Sequence, residues 1–190
     1  MRVIAGSARR LLLETAPGDN TRPTTDRIKE TLFNILSYDI PGCNFLDVFA
    51  GSGGIGIEAL SRGAEKAVFI EKDPAALKCI NRNLERTHFT ENSRVIKGDA
   101  ATSVSMLRAA NYGVFDIVFM DPPYGKGLAA DVLRVLRMSD VINDETLIIV
   151  EESIRAEAEE VVPDGYKVTR VKDYKTNRHF FLRRDLQGEN

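Results

Sequence analysis

The chain has 190 residues, 43% of them hydrophobic and 28% charged, which is enough for one domain with a sizeable core. This mixture argues against wholesale disorder, and a net charge of −2 gives no overall indication of a nucleic-acid partner. Two cysteines and two histidines without metal-ligand spacing argue against a zinc or iron–sulfur centre, so no metal is expected. No apolar stretch could span a bilayer and the N-terminus lacks a signal-peptide core, so we expect a cytoplasmic protein without membrane contact.

Basic residues concentrate towards both ends of the chain, whereas acidic residues lie mostly in the middle. The two ends are therefore expected to form a basic face despite the negative net charge. The basic residues concerned are Arg2, Arg9, Arg10, Arg22 and Arg27 near the N-terminus, and Lys167, Arg170, Lys172, Lys175, Arg178, Arg183 and Arg184 near the C-terminus.

Residues 1–41 are predicted to form an extension made of a hairpin and a helix. Short apolar stretches at 2–5 and 10–13 flank a Gly-Ser-Ala turn, which is typical of a small hairpin. Residues 17–20 are predicted to be a loop, and Thr24 is a candidate helix cap. The apolar residues that predict the helix by their spacing are Ile28, Leu32, Ile35 and Leu36.

From Asn44 onward, apolar runs typical of buried strands alternate with helical patterns, and Asp73 is the expected cap of the second helix. The alternation predicts an α/β fold, a Rossmann-like, doubly wound and mostly parallel seven-stranded sheet in a domain of residues 42–186. The last two strands are close in sequence and predict a C-terminal antiparallel hairpin, followed by a frayed tail at 187–190. The predicted strands are 45–49, 67–70, 95–97, 115–120, 146–150, 166–174 and 177–183.

The first strand of this domain runs into a glycine-rich turn and a helix. Gly51, Gly53 and Gly56 let the backbone approach a ligand closely, and they satisfy the spacing G-x-G-x-x-G. Glu71 follows Gly51 by twenty residues, so these residues alone also fit a nicotinamide or flavin enzyme. A phosphate-binding Walker loop does not fit, because no Lys-Ser/Thr pair follows the glycines.

Three acids favour S-adenosylmethionine over a dinucleotide. Asp47 lies inside the first strand, where a buried charge needs a partner, and it could hold a cationic amino-acid group directly or through water. Glu71 ends the second strand and could accept two ribose hydroxyls, while Asp99 follows the third strand and could meet an adenine amine. Adenosylmethionine carries an amine, a sulfonium and a ribose but no phosphate, which suits this set. The alternative is that the three acids only cap turns.

Asp121-Pro122-Pro123-Tyr124 follows a strongly apolar strand. The prolines stiffen the turn and remove two backbone donors, which leaves carbonyl oxygens and a carboxylate as acceptors. Such acceptors suit an exocyclic base amine, whose two N–H groups would bind Asp121 and the Pro122 carbonyl, while Tyr124 could stack on a flipped-out base. The glycine-rich and proline-rich turns are expected to face one crevice. The alternative is a proline-rich loop with a half-buried tyrosine.

The chain resembles class I adenosylmethionine-dependent methyltransferases that act on amino nitrogens, and more closely the RsmD family. The resemblance implies methylation of N2 of guanine 966 in 16S rRNA, with an assembling 30S particle as substrate and a monomeric enzyme. The resembling segments are Arg2-Val3-Ile4-Ala5-Gly6, Thr21-Arg22-Pro23-Thr24-Thr25-Asp26-Arg27, Glu30-Thr31-Leu32-Phe33-Asn34-Ile35-Leu36, residues 47–58, and Asp121-Pro122-Pro123-Tyr124.

The resemblance also implies roles for individual residues. Two departures concern RNA binding: Arg9-Arg10-Leu11 lacks a glycine that is usual in the first hairpin, and Lys175 stands where the last hairpin often has one. His88 and His179 are expected to be surface residues without a role. The residues expected to hold adenosylmethionine are Asp47, Ala50, Gly51, Gly53, Glu71, Lys72, Asp99 and Ala100; those for catalysis are Asp121, Pro122 and Tyr124; those for RNA are Arg9, Arg10, Arg22, Arg27, Pro123, Lys175 and Arg178.

Other functions remain compatible with parts of the pattern. Asp-Pro-Pro-Tyr also serves adenine N6 and cytosine N4 methylation of DNA, although those enzymes generally carry an added target-recognition region for which this chain has little room. A protein-glutamine methyltransferase would more often have Asn at position 121. A nicotinamide-dependent dehydrogenase and a non-catalytic RNA-binding or assembly factor are the alternatives from other classes.

Overall fold

The computed structural model describes residues 1–16, 26–107 and 112–185. The predicted loop at 17–20, the candidate cap Thr24, the RNA candidate Arg22 and the tail at 187–190 therefore lie outside the described residues. The chain divides into two compact units, Met1–Asp99 and Ala100–Asn190. The predicted boundary between an extension at 1–41 and a domain at 42–186 stays a prediction.

The first unit contains, in chain order, α1 (Asp26–Ile35), β1 (Asn44–Val48), α2 (Gly54–Ser61), β2 (Lys66–Glu71), α3 (Pro74–Thr87), a short 3₁₀ helix (Thr90–Asn92) and β3 (Ser93–Lys97). Its three strands are parallel and lie in the order β3-β2-β1. The apolar side chains of β1 and β2 are buried in continuous runs, as predicted, whereas Val95 and Ile96 of β3 are only half-buried. Asp73 caps α3 as predicted, and its Oδ1 accepts hydrogen bonds from the N–H groups of Ala75 and Ala76.

The N-terminal segment of this unit makes a hairpin-like antiparallel pairing through a single bridge between Arg2 and Leu12. Its turn contains Arg10 at a φ of 73°, a left-handed conformation that favours glycine. This is the turn in which the resemblance leads one to expect a glycine, so the backbone keeps the conformation although the side chain is Arg.

Helix α1 forms as predicted, but its buried face differs from the apolar pattern. Leu32 and Leu36 are buried as expected, whereas Ile28 and Ile35 are only half-buried. The buried position in the first turns of the helix is Lys29, which is 0% exposed. Its burial is possible because the ammonium group finds partners inside the unit, which the apolar pattern could not indicate.

The second unit contains, in chain order, α4 (Ala100–Leu107), β4 (Ile117–Met120), α5 (Leu128–Arg137), β5 (Leu147–Ser153), α6 (Ala158–Val161), β6 (Tyr166–Asp173) and β7 (Asn177–Arg184). Strands β4 and β5 form a parallel pair, β7 is antiparallel to β5, and β6 is antiparallel to β7. The C-terminal hairpin is therefore confirmed, and β6 forms the edge. Within the described residues, seven strands belong to a mixed sheet, which confirms the predicted fold class.

Neither unit shows a membrane segment or a metal cluster in the parts of the chain that the structure describes. None of the helices there has the length and apolar character needed to cross a bilayer. Within those same ranges, no group of three or more His, Cys, Asp or Glu residues is arranged to hold a metal ion.

Candidate active site

The glycine-rich turn after β1 adopts backbone conformations that favour glycine. Gly51 and Gly53 have φ angles of 55° and 80°, and a Cβ atom at Gly51 would meet no atom of the described residues within 4 Å. The N–H of Ala50 donates to the Ile70 carbonyl over 3.0 Å, which fixes the start of the turn against β2. The turn is therefore held in place by a backbone hydrogen bond, and the described residues leave the Cβ side of Gly51 uncovered.

Gly56 serves close packing in the helix that follows. A Cβ atom there would collide with the ring of Phe69 on β2, so only glycine allows α2 to lie this near the sheet. Gly56, the last glycine of the G-x-G-x-x-G pattern, therefore allows α2 to pack closely against β2.

Asp47 lies under the turn and is only 2% exposed. Its Oδ2 accepts a hydrogen bond of 2.8 Å from the N–H of Gly56, in the first turn of α2. Burial raises the pKa of the carboxyl group to about 7, the Gly56 bond opposes this rise, and the nearby charge of Glu71 adds to it. Asp47 thus satisfies an otherwise unpaired amide at the start of a helix and orders the turn from below.

Glu71 ends β2, as predicted, and lies partly exposed. Its Oε2 accepts from the N–H of Gly51 over 2.8 Å, while Oε1 accepts from the N–H groups of Lys72 and Asp73 over 2.7 and 2.8 Å. The structure therefore brings Gly51 and Glu71 together. The carboxylate ties the glycine-rich turn to the end of β2 and is itself held in one orientation by three amides.

The remaining predicted cofactor residues lie at or after strand ends. Lys72 is exposed directly after β2, and Asp99 is exposed two residues beyond β3. Ala100 is buried as the first residue of α4. Glu71 at the end of β2 and Asp99 after β3 thus place acidic side chains near the carboxyl ends of both strands, where parallel sheets bind ligands.

In the second unit, Asp121-Pro122-Pro123-Tyr124 begins directly after β4. Asp121 is half-buried, Pro122 is buried and Pro123 is exposed. Tyr124 is 42% exposed, and its hydroxyl donates a hydrogen bond of 2.9 Å to Oε1 of Glu151. Burial raises the pKa of Tyr124 well above its usual value, and the charges of Glu151 and Asp121 add to the rise. Tyr124 is therefore a neutral donor with an accessible ring.

Glu151, Asn177 and His179 form a buried polar group behind Tyr124 that the sequence did not indicate. Asn177 Nδ2 donates to Glu151 Oε1 over 2.6 Å, and His179 Nε2 lies 2.8 Å from Glu151 Oε2. His179 is 0% exposed, so the prediction that it is a surface residue was wrong. Its neighbours in β7 are Arg178 and Phe180, so the local sequence gave little sign of its burial. Its partner is set by the register that pairs Glu151 with His179.

A cavity of about 550 Å³ opens beside Tyr124 within the second unit. The residues that line it include Tyr124, Glu152, Ser153 and Arg155, whose side chains carry both donors and acceptors. Glu152 is 7% exposed and also contributes to the raised pKa of Tyr124. The Asp-Pro-Pro-Tyr turn therefore borders a space with hydrogen-bonding groups of both kinds.

The predicted RNA residues differ in how available their charges are. Arg9, Arg10, Arg27 and Lys175 are exposed. The side chain of Arg178 is 16% exposed, and its guanidinium group binds both carboxylate oxygens of Asp173 and the Ala156 carbonyl. Arg178 is therefore largely engaged within the hairpin, whereas the other four present their charges to solvent.

Comparison with known proteins identifies the family to which the chain belongs. The family model described as Conserved hypothetical protein 95 matches residues 1–183. Ribosomal RNA small subunit methyltransferase D of Escherichia coli (strain K12) is 35% identical over 189 residues, covering 100% of this chain and 92% of that protein. The Haemophilus influenzae protein of the same name is 39% identical over 153 residues, covering 80% of this chain and 78% of its own length.

A solved structure agrees with these relationships. The structure of yhhF from Escherichia coli is similar to this chain with a TM-score of 0.81 at 36% identity, and it covers 97% of this chain and 98% of that one. Sequence and fold thus agree over nearly the full length of both proteins. This chain therefore belongs to the conserved hypothetical protein 95 family, the RsmD family of methyltransferases.

Proposed function

We propose that this protein is an S-adenosylmethionine-dependent rRNA methyltransferase that methylates the exocyclic N2 amine of guanine 966 in 16S rRNA. The observation that carries the proposal is the Asp121-Pro122-Pro123-Tyr124 turn at the end of β4, where a half-exposed tyrosine ring borders a cavity. Family membership and the name of the Escherichia coli relative support rRNA of the small subunit as the substrate.

The residues around the glycine-rich turn fit the proposed cofactor. None of the described residues comes within 4 Å of a Cβ atom at Gly51, so they leave room for a ligand at the turn. Asp47 keeps the turn ordered through Gly56. Glu71 presents a partly exposed carboxylate that can accept ribose hydroxyl groups. Bound adenosylmethionine would supply the methyl group from its sulfonium. The other residues that we assign to the cofactor are Ala50, Gly53, Lys72, Asp99 and Ala100.

The Asp-Pro-Pro-Tyr turn fits an exocyclic amine as the methyl acceptor. Such an amine is a poor nucleophile because its lone pair is delocalised into the base. Hydrogen bonds from its two N–H groups to the Asp121 carboxylate and the Pro122 carbonyl favour a tetrahedral nitrogen, whose lone pair becomes available. The methylated nitrogen is acidic, and Asp121 can accept the proton that it loses. Tyr124 stacks on the base and keeps it flipped out.

We assign RNA binding to the basic residues of the termini. Exposed Arg9, Arg10, Arg27 and Lys175 can neutralise phosphates, and exposed Pro123 can contact the target strand. Arg178 contributes less because Asp173 already neutralises it. Arg22 belongs to the same proposal and lies outside the described residues. The extension at 1–41 would thus bind RNA. We also propose that the protein is a monomer that acts in the cytoplasm on the 30S subunit or its assembly intermediate.

Methyl transfer from labelled S-adenosylmethionine tests this function. The acceptors are 30S subunits lacking their modifications, naked rRNA, duplex DNA and total protein, with nucleoside mass analysis of every labelled product. We expect N2-methylguanosine from the 30S sample. Label in DNA or protein would support a methyltransferase activity but contradict the proposed rRNA substrate. No label in any sample would favour a dehydrogenase or a binding factor, and NAD binding would separate these two.

Asp121 variants test the chemistry itself. Asp121→Ala should lower kcat about a thousandfold, because a preorganised acceptor of the amine is lost, while the Kd for adenosylmethionine changes less than about twofold. Asp121→Asn keeps one acceptor oxygen and should lose less. Asp131→Ala, which removes an exposed carboxylate from α5, is the matched control and should keep full activity. Equal rates for Asp121→Ala and the control would contradict the assignment.

A further inference from the structure

Tyr124 is an aromatic side chain with an accessible ring and an anchored end. The residue is 42% exposed, yet its hydroxyl group donates to a carboxylate that is almost fully buried, Glu151 at 4% exposure. An exposed tyrosine normally rotates freely about its side-chain bonds and loses that freedom when it binds. A hydroxyl bond to a buried acceptor removes much of this freedom in advance, so the ring is preorganised.

Glu151, which accepts this hydrogen bond, is itself held by residues of the neighbouring strand β7. Glu151 Oε1 accepts from both Tyr124 and Asn177, and Oε2 contacts His179. Two of the three partners therefore come from β7, which is paired with β5 in an antiparallel register. A buried carboxylate with three hydrogen-bonding partners cannot turn without leaving one of them unpaired, which is costly.

His179 is held in turn by aromatic packing. Its ring makes edge contacts with Phe119, Tyr174 and Phe181, with centroid distances of 5.9, 4.8 and 6.4 Å. The hydroxyl of Tyr174 lies 3.3 Å from Nδ1 of His179, so both ring nitrogens have a polar partner. The chain of contacts thus runs from the core of the second unit to the exposed ring of Tyr124.

We propose that Glu151, supported by Asn177 and His179, is a positioning residue that fixes the ring of Tyr124 for stacking on the substrate base. This inference rests on the proposed function, because it concerns the same site. A misplaced stacking platform lets the target amine move away from its acceptors, and small displacements cost large factors in rate. Glu151 acts through Tyr124 and does not touch the base.

A double-mutant cycle tests the coupling between the two residues. Tyr124→Phe removes the hydroxyl and keeps the ring, and Glu151→Ala removes the acceptor. Each should lower kcat about tenfold, with the KM for RNA changed less than about twofold. The kcat of the double variant should also fall about tenfold rather than a hundredfold, because each single change already breaks the same Tyr124–Glu151 hydrogen bond. Glu151→Gln keeps an acceptor oxygen for Tyr124 and should stay within about threefold of the wild-type rate.

Tyr166→Phe is the matched control, since it also deletes a buried tyrosine bond, the 2.6 Å donation to the Leu133 carbonyl. It should lower the thermal midpoint and leave kcat unchanged. A second readout is the fluorescence of an RNA with 2-aminopurine at the target position, whose quenching by stacking should weaken in Glu151→Ala as it does in Tyr124→Phe. Multiplicative losses in the double variant, or unchanged quenching, would overturn the positioning role. A wild-type protein that methylates no RNA would instead overturn the proposed function.

Discussion

Asp47 combines nearly complete burial with an ionisable group. A carboxylate without water around it is costly, and the hydrogen bond from the Gly56 amide compensates only part of that cost. Burial accordingly raises the pKa to about 7. Above this pH the buried carboxylate is charged and lowers the free energy of unfolding, although the same group orders the turn. Such a compromise is typical of functional sites.

The raised pKa makes stability depend on pH in a defined direction. Between about 4, the pKa of an unfolded aspartate, and the folded value of about 7, the native state binds more protons than the unfolded state. The free energy of unfolding should therefore fall by about 2–4 kcal/mol as pH rises through this window. Asp47→Asn keeps the acceptor for Gly56 and removes the charge, so this pH dependence should disappear.

Urea unfolding of the wild type and Asp47→Asn at about pH 4.5 and about pH 8 measures this difference. The variant should match the wild type at the lower pH and exceed it at the higher pH. Parallel losses of stability in both proteins would mean that other groups cause the dependence.

Helix α1 is attached to the first unit by a buried ion pair. Lys29 Nζ lies 3.3 Å from Glu58 Oε2 and donates to the Arg2 carbonyl, with both charged side chains 0% exposed. Glu58 also accepts from Arg62 and from the N–H groups of Ile4 and Ala5. The N-terminal segment, α1 and α2 therefore meet at one carboxylate, which fixes their positions within the first unit.

Lys29→Met should destabilise the protein by about 3 kcal/mol, because it removes one partner from a buried charge while keeping most of the volume. Lys78→Met on the exposed side of α3 is the control and should change stability by less than about 0.5 kcal/mol. The measurement is the urea midpoint of each variant at neutral pH. Equal midpoints for the two variants would show that the buried pair makes no net contribution.

The net charge of −2 means that RNA binding must come from local charge rather than from the molecule as a whole. The double variant Arg9→Gln/Arg10→Gln should lower the slope of log affinity against log salt concentration by about 1.5, because about two phosphate contacts are lost. Arg134→Gln is the control, since that side chain is paired with Asp131 on α5. Salt titrations with a target RNA fragment measure the slope. An unchanged slope in the double variant would show that Arg9 and Arg10 do not contact RNA phosphates.

Local pattern was enough to predict the sheet and the two turns of the candidate site. Parallel strands covered on both faces read as continuous apolar runs, so β1, β2 and β4 could be recognised without any long-range information. The glycines at 51 and 53 permit the positive φ angles of the first turn, whereas the prolines at 122 and 123 restrict the backbone of the second. The turns form where those residues stand.

Tertiary structure alone decided which buried polar groups become partners. Lys29 and Glu58 are 29 residues apart, and Glu151 and His179 are 28 residues apart, so no helical or strand periodicity links them. Their pairing depends on helix packing and on strand register, and a buried charge is tolerated only where the folded chain supplies its counterpart. The sequence by itself therefore determined the fold class and the two turns of the candidate site, because both follow from short-range sterics and burial. The support behind Tyr124 was decided by the register of β5 and β7, because only the assembled strands bring donors to the buried Glu151 carboxylate.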